Sequence, residues 1–128
     1  MIDKNLLQDV VICRKNDTIL EVARILRDTK SRHLIVVDEN EKPLGIISTV
    51  DINNRVIAEE LNIKETTAED VMTKKIEVVD VNESYDNAYK KMNDKGTYSI
   101  PVVEDGKLIG ALSFNQLFYK VGGKNEKH

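Results

Sequence analysis

The sequence predicts an α/β (α+β) chain of two β-α-β-β-α repeats packed with pseudo-twofold symmetry, in which small mixed sheets are flanked by helices. The first observation is an internal repeat. Slid against itself by about 66 positions, the 128-residue chain comes into register. The phrase "NDTILEVARIL" (16–26) meets "NESYDNAYKKM" (82–92), "HLIVVDE" (33–39) meets "SIPVVED" (99–105), and "KPLGIIS" (42–48) meets "KLIGALS" (107–113). The second is helical periodicity in one segment of each half: Ile19, Val22, Ala23 and Leu26 recur on one face, as do Tyr85, Ala88, Tyr89 and Met92. The third is a pair of short apolar runs after each helix, separated by turn residues.

Taken in order, each half starts with a short strand, Val10 to Cys13 and then Glu77 to Val79. The first helix starts at Thr18, which has capping-box spacing to Glu21, and its counterpart starts at Ser84. Strands Leu34 to Val37 and Leu44 to Ser48 follow, joined by "DENEK". Ile100 to Val103 and Leu108 to Ser113 repeat them around "EDGK", where Gly106 tolerates positive φ. A closing helix starts at Asp51 and about Asn115. Between the halves, Thr67 and Asp70 predict a short capped helix. The organisation is therefore 1–64, a first repeat with its lead-in, and 65–128, a linker, second repeat and tail. A half of roughly 60 residues is marginal alone, so the two pack together and leave two related clefts suited to ligands.

Composition narrows the function. The chain is 41% hydrophobic and 32% charged, with a net charge of −3. An interspersed, slightly acidic surface disfavours nucleic acid as a partner. No apolar run reaches the ~20 residues of a membrane span, and the N-terminus lacks the pattern of a secretory signal. A cytoplasmic location is the expectation, with the tail "GGKNEKH" fraying into solvent. Cys13 is the single cysteine, read as an apolar filler, and His33 and His128 lie far apart, so no metal set is expected. No P-loop, dinucleotide glycine pattern or nucleophile elbow is present, and the expectation is not an enzyme.

The phrases "HLIVVDENEKPLGIISTVDI" and "SIPVVEDGKLIGALSFNQL", with the linker "EDVMTKKIEVV", resemble the tandem CBS-domain pair, or Bateman module. The likeness runs from about Val10 to Val121. It implies a regulatory module that binds AMP, ADP, ATP or S-adenosylmethionine-type ligands in the clefts between repeats, requires no cofactor, and associates as a homodimer. Its output is a separate effector protein, ligand storage, or an effector fused in relatives, and the sequence does not choose among them.

Within that resemblance, Asp51 in a first helical turn suits the vicinal hydroxyls of a ribose, and Ser48 suits a phosphate or a helix cap. The same Asp also suits a helix start with no ligand at all. The family pattern adds Thr49, Thr73, Glu77, Val78, Tyr98 and Ser99 to the Asp51 cleft. It assigns Val11, Ile12, Arg32, His33, Ser113, Asn115 and Gln116 to a second cleft. There "GALSFNQL" replaces the acid of "GIISTVDI" by an amide. Losing the charge weakens ribose binding by roughly three- to thirtyfold, so the Asp51 cleft is the stronger. With the basic pair Arg32–His33 assigned to the other cleft, the Asp51 site favours S-adenosylmethionine or methylthioadenosine over ATP. The alternative is a dimerisation or docking scaffold that binds no metabolite. Its apolar helix faces would be Val56, Ile57, Leu61 and Phe118.

Overall fold

A computed structural model of the chain describes residues 1–122; the tail expected to fray, apart from Gly122, lies outside the described residues, as does His128. The chain divides into two compact units. One is Val11–Ile76, and the other joins Met1–Val10 to the chain from Glu77 onward. Packing thus crosses the 1–64/65–128 division of the repeats: the first ten residues fold with the second repeat, and the linker folds with the first.

In the unit Val11–Ile76, β1 (Ile12–Arg14) runs parallel to β2 (His33–Val37), and β2 runs antiparallel to β3 (Pro43–Ser48). A short β4 (Thr73–Lys74) completes the sheet on the other edge of β3. Helix α1 (Ile19–Thr29) connects β1 to β2. Thr18 caps it by accepting from the amide of Glu21 at 3.2 Å, and Lys30 closes it in the left-handed conformation. Ile19, Val22 and Leu26 are buried as the periodicity requires, packing with Cys13, Leu34, Val36, Ile47, Val56, Ala68 and Val71. Val56, expected on an exposed apolar face, is instead wholly buried. The β2–β3 turn has no glycine. Asp38 organises it by accepting from the amides of Asn40 and Lys42 at 2.8 and 2.9 Å. The Lys42 amide foremost, with that of Asn40, holds the Asp38 carboxyl below the usual carboxylate range.

The second unit repeats the plan with β5 (Val79–Asp80) parallel to β6 (Ser99–Glu104), and β6 antiparallel to β7 (Lys107–Ser113). Helix α4 (Tyr85–Lys95), capped by Ser84 and closed by Gly96, places Ala88 and Met92 in the core with Ile2, Val79, Val81, Ile100, Val102, Leu112 and Leu117. Asp105 and Gly106, at φ 53° and 80°, make the tight two-residue hairpin between β6 and β7. The N-terminal segment completes this unit. Ile2 donates its amide to Val81, Gln8 and Ala111 exchange backbone hydrogen bonds of 2.9 and 3.0 Å, and Lys4 pairs with Glu104 at 2.8 Å.

In both units, a lead segment lies against the last hairpin strand where that strand carries a glycine. A Cβ on Gly45 would stand 2.6 Å from the Thr73 carbonyl oxygen and 2.7 Å from the Met72 sulfur. On Gly110 it would stand 2.9 Å from the Leu7 Cβ and 3.1 Å from the Gln8 carbonyl oxygen. Backbone cannot swing aside as a side chain can. Gly45→Ala is therefore expected to destabilise by about 1–3 kcal/mol, the usual cost of overpacking, read as a lower midpoint in urea unfolding.

Cys13 is 3% exposed, and burial, with a smaller push from Asp17, raises its thiol to about 12. The thiolate is the reactive form. Native protein should leave Cys13 unlabelled by a maleimide at pH 8 and react stoichiometrically only in denaturant; rapid native labelling would contradict this packing.

Candidate functional site

The repeated turn is a strand-to-helix junction in each unit. After β3, Ser48 is the N-cap of α2 (Thr49–Ile52), so the helix starts two residues before the Asp51 expected from sequence. Ser48 Oγ accepts from the Asp51 amide at 3.1 Å, and Asp51 Oδ2 accepts from the Ser48 amide at 3.0 Å. This is a reciprocal capping box. Beyond Ile52 the helix widens to a π-helical turn, Asn53–Ile57. After β7 the same construction recurs. Ser113 caps α5 (Phe114–Leu117), accepting from the Gln116 amide at 3.2 Å, while Gln116 Oε1 accepts from the Ser113 amide at 3.0 Å. A π-helical turn, Phe118–Gly122, again follows.

The two junctions differ in the remaining atoms of Asp51 and Gln116. Asp51 Oδ1 faces Arg55 Nη2 at 3.4 Å, and Arg55 Nη1 donates to the Val71 carbonyl at 2.7 Å. In the other unit, Gln116 Nε2 donates directly to the Leu6 carbonyl at 2.7 Å. These carbonyls are equivalent. Thr73 pairs with Ile46 and Gln8 with Ala111, one residue past Gly45 and Gly110, so Val71 and Leu6 each lie two residues before the pairing position. An amide satisfies this carbonyl alone. A carboxylate cannot donate, and Arg55 does so in its place.

The remaining expected residues divide between the units. Val11, Ile12, Arg32, His33, Ser48, Thr49, Asp51 and Thr73 belong to Val11–Ile76. Glu77, Val78, Tyr98, Ser99, Ser113, Asn115 and Gln116 belong to the other. Within the first, His33 is the strand partner of Ser48, and the Thr49 amide donates to the Arg32 carbonyl at 2.9 Å. Both Arg32 and His33 are exposed, as is Thr73. In the second, Ser99 is the strand partner of Ser113, and the Phe114 amide donates to the Tyr98 carbonyl at 2.6 Å. Tyr98 is 83% exposed, and Asn115 and Glu77 are exposed. The Val78 carbonyl accepts from Lys91 Nζ at 3.0 Å. Each of the two expected groups thus draws residues from both units.

Sequence reasoning missed Arg55, although an acid followed four residues later by a base is a readable helical pair. It also missed the Leu6 carbonyl, for which no side-chain pattern exists. Among the described residues, no group of three His, Cys, Asp or Glu could hold a metal ion. No helix there is long and apolar enough to cross a membrane.

The CBS-domain family model matches residues 4–58 and 68–123. An uncharacterized protein of Methanopyrus kandleri is 31% identical over 111 residues, 86% of this chain and 57% of that one. The L-aspartate semialdehyde sulfurtransferase of Methanocaldococcus jannaschii is 30% identical over 115 residues, 89% of this chain but 22% of that protein. The chain thus spans only part of these relatives. Among solved structures, a CBS domain protein from Pyrobaculum aerophilum complexed with AMP superposes with a TM-score of 0.74 at 24% identity, covering 98% of this chain and 97% of that one, and speaks to the fold. A CBS domain pair in complex with 5′-methylthioadenosine and S-adenosyl-L-methionine is 28% identical, with a TM-score of 0.70 over 97% of this chain and 98% of that one. The repeated junctions, the two mixed sheets and these matches lead to one conclusion: the chain belongs to the CBS-domain family, as a tandem pair of CBS domains.

Proposed function

We propose that the chain is a regulatory module binding an adenosyl ligand, with the Asp51 carboxylate receiving the ribose hydroxyls. The observation that carries this reading is the spare capacity of that carboxylate. A carboxylate offers about four lone-pair sites. Asp51 commits one oxygen to the Ser48 amide, and the other faces a single Arg55 nitrogen. Its side chain keeps 19% of its surface accessible. Acceptors therefore remain for the two O–H groups of a vicinal diol. The reading also draws on the 28%-identical CBS pair, whose complex holds 5′-methylthioadenosine and S-adenosyl-L-methionine. The ligand contacts proposed beside Asp51 are Ser48, Thr49 and Thr73, of the same unit. Ligands of little negative charge, of the kind held by that CBS pair, are preferred over ATP.

A thermal-shift panel of AMP, ADP, ATP, S-adenosylmethionine, methylthioadenosine and GMP tests this directly. A ligand at about 100 times its Kd adds roughly 2.7 kcal/mol of stability. Methylthioadenosine and S-adenosylmethionine should stabilise the wild type. Asp51→Asn, which keeps an acceptor for the Ser48 amide, should weaken them roughly three- to thirtyfold by removing the charge from the hydrogen bonds. A response to AMP exceeding that to methylthioadenosine would instead assign Arg32 and His33 to the Asp51 site. No shift with any adenosyl compound would leave the scaffold reading.

One observation favours association with a second copy, with or without ligand. Val50, Ile57 and Leu61 are 62%, 58% and 43% exposed within one short stretch, and clustered large apolar side chains mark contact surfaces. The module is proposed to dimerise through this stretch. Ile57→Asp should shift sedimentation from dimer to monomer at micromolar concentration while leaving the circular dichroism spectrum unchanged. A wild type that sediments as a monomer would refute the dimer.

A further inference from the structure

We infer that Gln116 is the clasp that fastens the N-terminal segment to the second repeat and is thereby withdrawn from ribose binding, so that one chain binds one nucleoside. The stoichiometric part rests on the adenosyl reading of Asp51; the clasp does not. The argument is a count of donors and acceptors. Gln116 Oε1 accepts from both the Ser113 amide, at 3.0 Å, and the Ser113 hydroxyl, at 3.2 Å. An amide oxygen has two lone pairs, so both are used. Nε2 spends one of its hydrogens on the Leu6 carbonyl at 2.7 Å. The reversed amide orientation would set donor against donor at Ser113 and acceptor against acceptor at Leu6. A ribose diol that donates both hydroxyls finds no acceptor here, whereas Asp51 retains them.

The surrounding residues agree with a clasp. Leu6 lies in a segment tied to this unit along its length. Ile2 is buried, the Ile2 amide bonds Val81, the Asp3 amide donates to the Tyr85 hydroxyl at 2.9 Å, Lys4 pairs with Glu104, and Gln8 pairs with Ala111. Lys120, which takes the place of Arg55 in the repeat, does not substitute for that arginine. Its ammonium lies over the Tyr85 ring, 5.6 Å from the centroid. The acid-to-amide exchange is therefore complete: the residue that would hold a ribose holds a main-chain carbonyl instead.

The experiment has two independent arms. In the first, hydrogen exchange is followed by NMR on ligand-free wild type and Gln116→Glu, an isosteric change that keeps an acceptor for Ser113 and removes the donor to Leu6. Exchange at the Ile2, Gln8 and Ala111 amides should rise about tenfold, the equivalent of one neutral hydrogen bond, with amides of Val11–Ile76 unaffected. Should that variant fail to fold, the wild type alone decides: one Gln116 side-chain amide proton should be protected from solvent and show a nuclear Overhauser contact to the Leu6–Leu7 backbone. Unchanged exchange in the variant, or an unprotected amide in the wild type, overturns the clasp. In the second arm, calorimetry with methylthioadenosine should give one site per chain. Two sites per chain, the weaker altered by Gln116→Glu, would overturn the inference. Binding of no nucleoside would refute the adenosyl reading and the stoichiometry built on it, leaving the clasp to the exchange arm.

Discussion

Both candidate junctions depend on the close approach of a lead segment to a glycine. With no Cβ, Gly45 lets Met72 and Thr73 lie against β3, and Gly110 lets Leu7 and Gln8 lie against β7. That contact brings a main-chain carbonyl, Val71 in one unit and Leu6 in the other, to the start of the following helix. A partly buried carbonyl needs a donor, because leaving one unpaired costs about 1–3 kcal/mol. The glycine thus sets a requirement that the third helical residue must meet or delegate.

The two repeats meet it differently. Gln116 meets it directly, with both lone pairs of its amide oxygen spent on Ser113. Asp51 delegates it to Arg55, whose guanidinium is large enough to serve a carbonyl and a carboxylate at once. Delegation leaves a carboxylate with spare acceptors at a partly buried helix start, next to the Ser48 cap. Such a pair on the surface contributes little net stability, so its value is better sought in what the carboxylate can hold. Arg55 also joins that carboxylate to the Val71 carbonyl of the short helix α3 (Ala68–Val71). A ligand that drew Asp51 away would thereby loosen one contact of the linker.

Much of this was legible in the sequence. The faces of α1 and α4, the Thr18 and Ser84 caps, the Thr67–Asp70 helix and the tight "EDGK" turn all follow from local rules, and each stands where periodicity and turn chemistry put it. Local rules also contain the Ser48 cap, one of the two roles the sequence offers that serine, although the helix it caps starts two residues before Asp51. Val56 lies four residues after Ile52, which packs on the same core, so ordinary helical spacing already places it inside while Ile57 stays exposed. The least legible part is the partnership of residues far apart in the chain: Leu6 with Gln116, Lys4 with Glu104. A backbone carbonyl has no sequence signature, and its partner is recognisable only once the lead segments are superposed on the repeat.

That distance also bears on how the module assembles. Val11–Ile76 is contiguous, and its hairpin, helix and linker close over short loops. The other unit needs Met1–Val10 to return to a sheet that begins after Glu77. Loop-closure entropy grows only logarithmically with separation, so the long return is thermodynamically tolerable but kinetically late. The unit with the free carboxylate can therefore form from one continuous stretch, while the unit with the amide waits for the N-terminus. A side chain that both caps its helix and holds the returning segment suits the second position, because the same two hydrogen-bonding groups finish the helix and fasten the strap. An acid there would repel the Leu6 carbonyl and would need an arginine four residues on, where this chain has Lys120 committed to the Tyr85 ring. The amide thus suits a unit whose sheet is completed by the returning segment Met1–Val10.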